Sequence, residues 1–169
     1  MTINELKARF VEIYGGSEAD LRVFSAAGRV NLIGEHIDYC GGKVFPAALN
    51  LRTAVVARKT GKNEIRLAAT TIADRVTLDL NDLNAYRDLK WGDYQAGVAY
   101  VMQRDGYEIV GCDLLYDTDV PFGSGLSSSA SIEVATAMTL ATFSAEAGGK
   151  GVDLVQLAVL GQRSENTYN

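Results

Sequence analysis

Gly28-Arg29-Val30-Asn31-Leu32-Ile33-Gly34-Glu35-His36-Ile37-Asp38-Tyr39-Cys40-Gly41-Gly42 places a guanidinium, two carboxylates and the chain's single histidine within ten positions. Glycines bracket the run. Charged groups are rarely buried unless they are paired or put to use, so the mixture suits neither a buried strand nor an amphipathic helix. Glycines beside polar side chains predict a loop folded closely around something small.

Working outward, Ile3, Leu6, Phe10 and Ile13 recur at helical spacing, and Gly15-Gly16 closes that helix. Residues 21–26 read as a strand feeding the charged run. Residues 44–50 and 52–59 read as two further strands, and 65–69 with 76–80 as a hairpin joined by 70–75. A helix over 94–104, a strand over 111–118, an alanine-rich helix over 127–147 and a last helix from 152 to about 167 complete the pattern. There is no repeat, no low-complexity tract and no clear linker. The expectation is an α+β chain with mostly antiparallel strands first and helices late.

Composition narrows the function. The 169 residues suffice for one domain with a core, and 47% are hydrophobic. Sixteen basic against 21 acidic residues give a net charge of −5, which argues against nucleic acid as the main partner. No apolar run approaches a membrane span, so no membrane partner is expected. Residues 1–10 lack the features of a signal peptide. Two cysteines, Cys40 and Cys112, are too few for a disulfide framework or a zinc site, and a cytoplasmic location is the simplest reading. Cys40 is read as an inert thiol.

A second motif, Pro121-Phe122-Gly123-Ser124-Gly125-Leu126-Ser127-Ser128-Ser129-Ala130-Ser131, lies between a strand and a helix. Its glycines let successive amides turn inward. Its serines open a helix whose first N–H groups and dipole favour an anion. No Gly-Lys-Ser/Thr ends it, so it is not a Walker A loop, and it lacks Gly-x-Ser-x-Gly. A serine-capped helix after a flexible turn is the plainer alternative.

The first run matches the galactokinase signature, Gly-Arg-x-Asn-Leu-Ile-Gly-Glu-His-x-Asp-Tyr, without gaps, and the match continues into Gly42, Val44 and Pro46. The second motif resembles the phosphate-binding motif of the wider GHMP kinases. The resemblance implies the GHMP kinase N-terminal domain over 1–169, a fold like domain 2 of ribosomal protein S5. It implies a kinase moving the ATP γ-phosphoryl to the 1-hydroxyl of α-D-galactose. Arg29 would stabilise charge developing between the reacting groups. Glu35, His36, Ile37 and Asp38 would hold the sugar, whose hydroxyls suit carboxylates and imidazole. By residue type alone His36 could also be proposed as a general base.

For ATP, the resemblance assigns the phosphates to Gly123, Ser124, Gly125, Leu126, Ser127 and Ser128. It assigns Mg²⁺ to the Ser129 hydroxyl and to Glu165, which sits in a segment similar to the family's Glu-Asn-x-Phe/Tyr. Trp91, with Tyr94, would line the adenine pocket, with core packing as the alternative. The family's general-base aspartate follows this segment, beyond Asn169. The expectations are therefore an absent C-terminal GHMP domain, an inactive chain on its own and a monomeric parent. N-acetylgalactosamine kinase and a non-catalytic sensor binding galactose and ATP are the alternatives.

Overall fold

The computed structural model describes residues 1–34 and 40–168. Glu35, His36, Ile37 and Asp38, the residues expected to hold the sugar, lie outside the described residues.

The chain opens with α1 (Ile3–Tyr14). The Thr2 hydroxyl accepts from the Glu5 amide, and the Glu5 carboxylate accepts from the Thr2 amide. This reciprocal cap satisfies two end donors and contributes about 1 kcal/mol. Leu6 and Phe10 form its buried face, and Gly15 ends it with a left-handed φ of 75°. Among the described residues five strands follow: β1 (Arg22–Ile33), β2 (Phe45–Lys59), β3 (Glu64–Ala69), β4 (Ile72–Asp79) and, after α2 (Asp93–Arg104), β5 (Cys112–Thr118). Then come α3 (Ser128–Glu146) and α4 (Leu154–Thr167). A short 3₁₀ turn at Leu83–Tyr86, with no counterpart in the sequence reading, leads towards α2.

The sheet order is β1-β2-β5-β3-β4. All neighbours are antiparallel except β3 and β5, which run parallel through the crossover containing β4 and α2. Both faces of the central strands are covered. Val55, Ala57, Leu67 and Leu114 join a core shared with α2, α3 and α4. Val56, Ala68 and Leu115, one residue out of phase, pack with Leu6 and Phe10 of α1. Period-two alternation thus feeds two apolar layers, as expected for a sheet between helices.

Three expectations need correction. The first half of the charged run is strand: β1 continues through Arg29 to Ile33, with Arg29 opposite Ala48 and Asn31 opposite Pro46. This end of the sheet reaches beyond the helix layers, where Leu32, Ile33 and Phe45 are exposed, so polar side chains need no buried partner there. Residues 44–59 hold one strand rather than two. Pro46 is tolerated because β5 pairs with β2 only from Thr53 onward, leaving one side free of a ladder. The hairpin turn is also shorter than expected, since Asp74 and Arg75 belong to β4. They lie on an edge strand, where exposed charge discourages pairing with other chains.

The buried pole of the α1 face is Asp113. Arg66 meets its carboxylate through Nε at 2.6 Å and Nη2 at 2.8 Å, and Arg58 adds a contact at 3.4 Å. Phe10 lies 5.1 Å from the Arg58 guanidinium and Tyr14 5.1 Å from that of Arg66, so α1 roofs the cluster.

Candidate functional site

Between β5 and α3 the chain makes its glycine-rich turn. Gly123 and Gly125 are left-handed, with φ of 67° and 75°, and Ser127 at 63° is the sole non-glycine of positive φ among the described residues. A serine there costs on the order of 1 kcal/mol, and such strain is characteristic of ligand clamps. The Ser127 side chain makes no capping hydrogen bond to α3. Its hydroxyl therefore does not compete for the first-turn amides, which is the opposite of the capped-helix alternative. The dipole and those amides face whatever anion enters.

The loop is also fastened from behind. The Arg29 amide donates to the Leu126 carbonyl at 3.0 Å. At Gly28 a Cβ would stand 2.8 Å from that same carbonyl oxygen and 3.2 Å from Val120, so only glycine lets β1 approach this closely. The two sequence motifs are thus in backbone contact. The Arg29 side chain is exposed beside the loop.

A cavity of about 920 Å³ opens in front of the loop. Gly123, Gly125 and Ser127 to Ser129 form one wall, and Trp91 and Tyr94 at the start of α2 form another. Trp91 is half-buried and its indole N–H has no partner among the described residues. Ser124 and Leu126 belong to the loop but not to the cavity lining; the Ser124 hydroxyl donates to the Pro121 carbonyl at 2.7 Å. Across 36 positions of sequence, the Ser129 hydroxyl donates to Glu165 Oε1 at 3.0 Å. A hydroxyl and a carboxylate so placed form a hard-oxygen pair that suits Mg²⁺, an ion that takes one or two protein ligands beside phosphates.

One residue of this region escaped the sequence reading. Glu133, one turn along α3 from Ser129, is 1% exposed, with Oε1 unpartnered among the described residues. Burial, then Glu165 and Asp93, push its carboxyl up to about 8. The same acids, after burial, raise Tyr94. An acid four positions after a candidate ligand on an alanine-rich helix was the available signal.

Glu133 carries a pH prediction. Its folded value lies above the ordinary 4.5, so the folded state retains a proton that the unfolded chain releases. Its contribution is harmless below about pH 4.5 and becomes a growing penalty up to about pH 8. Glu133→Gln should therefore gain roughly 1–2 kcal/mol over wild type at pH 8 and nothing at pH 4.5, since a buried site relaxes around the charge it must hold. Urea midpoints at both pH values measure it, and equal differences at the two would refute the assignment.

Comparisons with known proteins agree with this geometry. Residues 8–59 match the galactokinase galactose-binding signature, and residues 93–169 match the GHMP kinases N terminal domain. Galactokinase of Clostridium tetani (strain Massachusetts / E88) is 45% identical over 99% of this chain and 42% of that protein. Galactokinase of Bacillus subtilis (strain 168) is 36% identical over 97% of this chain and 42% of its own length. The chain thus spans about 42% of the length of these curated relatives. The crystal structure of Lactococcus lactis galactokinase complexed with galactose superposes with a TM-score of 0.88 at 32% identity, over 99% of this chain and 43% of that one. Methanococcus jannaschii mevalonate kinase shares the fold, with a TM-score of 0.74 at 21% identity over 89% of this chain and 47% of its own. No described helix is long and apolar enough to cross a membrane. With its glycine-rich loop, its aromatic-walled cavity and both family matches, the chain carries the GHMP kinase N-terminal fold and aligns with the N-terminal portion of galactokinases.

Proposed function

We propose that this chain forms the nucleotide wall and part of the sugar wall of a galactokinase, which moves the γ-phosphoryl of ATP to the 1-hydroxyl of galactose. The observation that carries the reading is one cavity lined by Trp91, Tyr94, Gly123, Gly125 and Ser127 to Ser129, with Glu165 hydrogen-bonded to Ser129. Residues 1–169 are assigned to one GHMP N-terminal domain.

The chemistry asked of the chain is positioning and charge neutralisation, since phosphoryl transfer needs little covalent help. Trp91 and Tyr94 would enclose the adenine. The loop amides and the start of α3 would face the phosphates. Ser129 and Glu165 would hold Mg²⁺, which when bound neutralises phosphate charge. Arg29, anchored through its amide to the loop, would bring a guanidinium beside the transferring group, where developing charge is stabilised. Glu35, His36, Ile37 and Asp38 are assigned to the sugar from the signature alone. The resemblance assigns the general base to an aspartate outside residues 1–169. Free Cys40 and Cys112 agree with a cytoplasmic setting.

The test is phosphoryl transfer by the protein carrying this chain, with ATP, Mg²⁺ and galactose, glucose or N-acetylgalactosamine in parallel. Galactose 1-phosphate as the main product is expected. Phosphorylation of another sugar with galactose left untouched would overturn the substrate, and no nucleotide binding at all would overturn the whole reading.

A further inference from the structure

Behind the glycine-rich loop runs a chain of three hydroxyls. The Val120 amide donates to Thr118 Oγ1 at 3.2 Å. Thr118 Oγ1 lies 2.9 Å from Thr53 Oγ1, and Thr53 Oγ1 lies 2.7 Å from Ser131 Oγ. Ser131 Oγ donates to the Ser128 carbonyl at 2.8 Å. Thr53 is wholly buried and Ser131 is 2% exposed.

Proton counting fixes the direction of this relay. A carbonyl can only accept, so the Ser131 proton goes to Ser128. Ser131 must then accept from Thr53, and Thr53 from Thr118. Thr118 is left to accept from the Val120 amide, which can only donate. Each hydroxyl has one bond in and one bond out, an arrangement in which neighbouring bonds polarise one another.

Its two ends are informative. Val120 immediately precedes the turn over residues 121–127, and Ser128 opens α3 after it. The relay therefore ties the entry of the loop to its exit, through a β2 residue remote from both in sequence. We propose that Thr53 is a positioning residue for phosphate recognition: its hydroxyl holds the ends of the loop at the separation that keeps Ser127 left-handed and the first turn of α3 facing the cavity. This rests on reading the loop as a phosphate cradle. The geometry of the relay itself does not depend on that reading.

The full chain carrying Thr53→Val, Thr53→Ser or Thr118→Val tests it by two readouts. In amide hydrogen exchange without ligand, both valine variants should speed exchange over residues 121–130 by about tenfold, with the β3–β4 hairpin unchanged and Thr53→Ser near wild type. In titration, Thr53→Val should weaken Mg²⁺–AMP-PNP by about tenfold and adenosine, which lacks phosphates, by less than about twofold, again with rescue by serine. Thr118 is only half-buried, so its variant carries the exchange test if Thr53→Val fails to fold. Unchanged loop exchange, a rise shared equally by the hairpin, or equal loss of both ligands would overturn the proposal and leave Thr53 a packing residue. A wild-type chain that binds no nucleotide would overturn the proposed function instead, while the exchange result still decides the relay.

Discussion

Alanine at Glu165 is expected to weaken binding of Mg²⁺–AMP-PNP by about 10- to 100-fold while leaving the metal-free nucleotide nearly unaffected. The expectation follows from a direct contact between α4 and the first turn of α3, Ser129 Oγ to Glu165 Oε1 at 3.0 Å. Two hard oxygens from distant segments meet beside the cavity that would hold the phosphates. A cation bound there would draw on both, so Ser129→Ala should show the same metal-selective loss. The double variant should lose little more than either single one, because partners in one site are not additive. A third consequence separates this from general damage. Glu165 is one cause of the raised value at Glu133, so its removal should lower that value and flatten the pH dependence attributed to Glu133. Titrations at fixed nucleotide with increasing Mg²⁺ decide the matter, and full metal dependence retained in both single variants would sink the assignment.

Asp113→Ala should cost about 3–5 kcal/mol of stability, because it leaves two arginines without the buried charge that holds them. Against a typical total of about 5–15 kcal/mol, that would put a substantial fraction of the chain near unfolding at moderate temperature. The Asp113 carboxylate is fully buried, and Arg66 grips it through two atoms. Phe10 and Tyr14 stack over the arginines, so freeing those guanidiniums would also loosen α1. The cluster lies on the α1 face of the sheet, opposite α2, α3 and α4. The folded fraction should therefore keep its Mg²⁺–AMP-PNP affinity. Urea unfolding followed by circular dichroism measures the loss, and a change under about 1 kcal/mol would refute the account.

Much of the fold was legible because its signals are local. Helical spacing of Leu6 and Phe10 with the glycine pair after Tyr14 marks α1 in the sequence as it stands in space. The alanine-rich run of α3 was equally clear. Legibility failed where pairing decides conformation. Gly28 to Ile33 looks like a loop because its residues are polar and glycine-bracketed. It is strand because β2 supplies a hydrogen-bonded partner at a sheet end that needs no burial. Asp74 and Arg75 look like turn residues and are strand for the same reason, at an edge. The parallel β3–β5 pairing has no local signal at all, since it depends on where the crossover through α2 sets the strand down.

The site divides along the same line. By itself the sequence determined the residue types and their order: a glycine-serine loop before a helix, a charged run after a strand, and a glutamate near Asn169. Those are covalent facts, and spacing along the chain is enough to read them. Only the tertiary structure decided which of them meet. It set Glu165 against Ser129, brought Trp91 and the loop into one cavity, and placed the Gly28 backbone under the Leu126 carbonyl. It also buried Glu133 beside two other acids and laid Thr53 between the ends of the loop. Burial, and contact between residues far apart in sequence, arise only when the sheet and helices pack together. No pattern along one chain carries them.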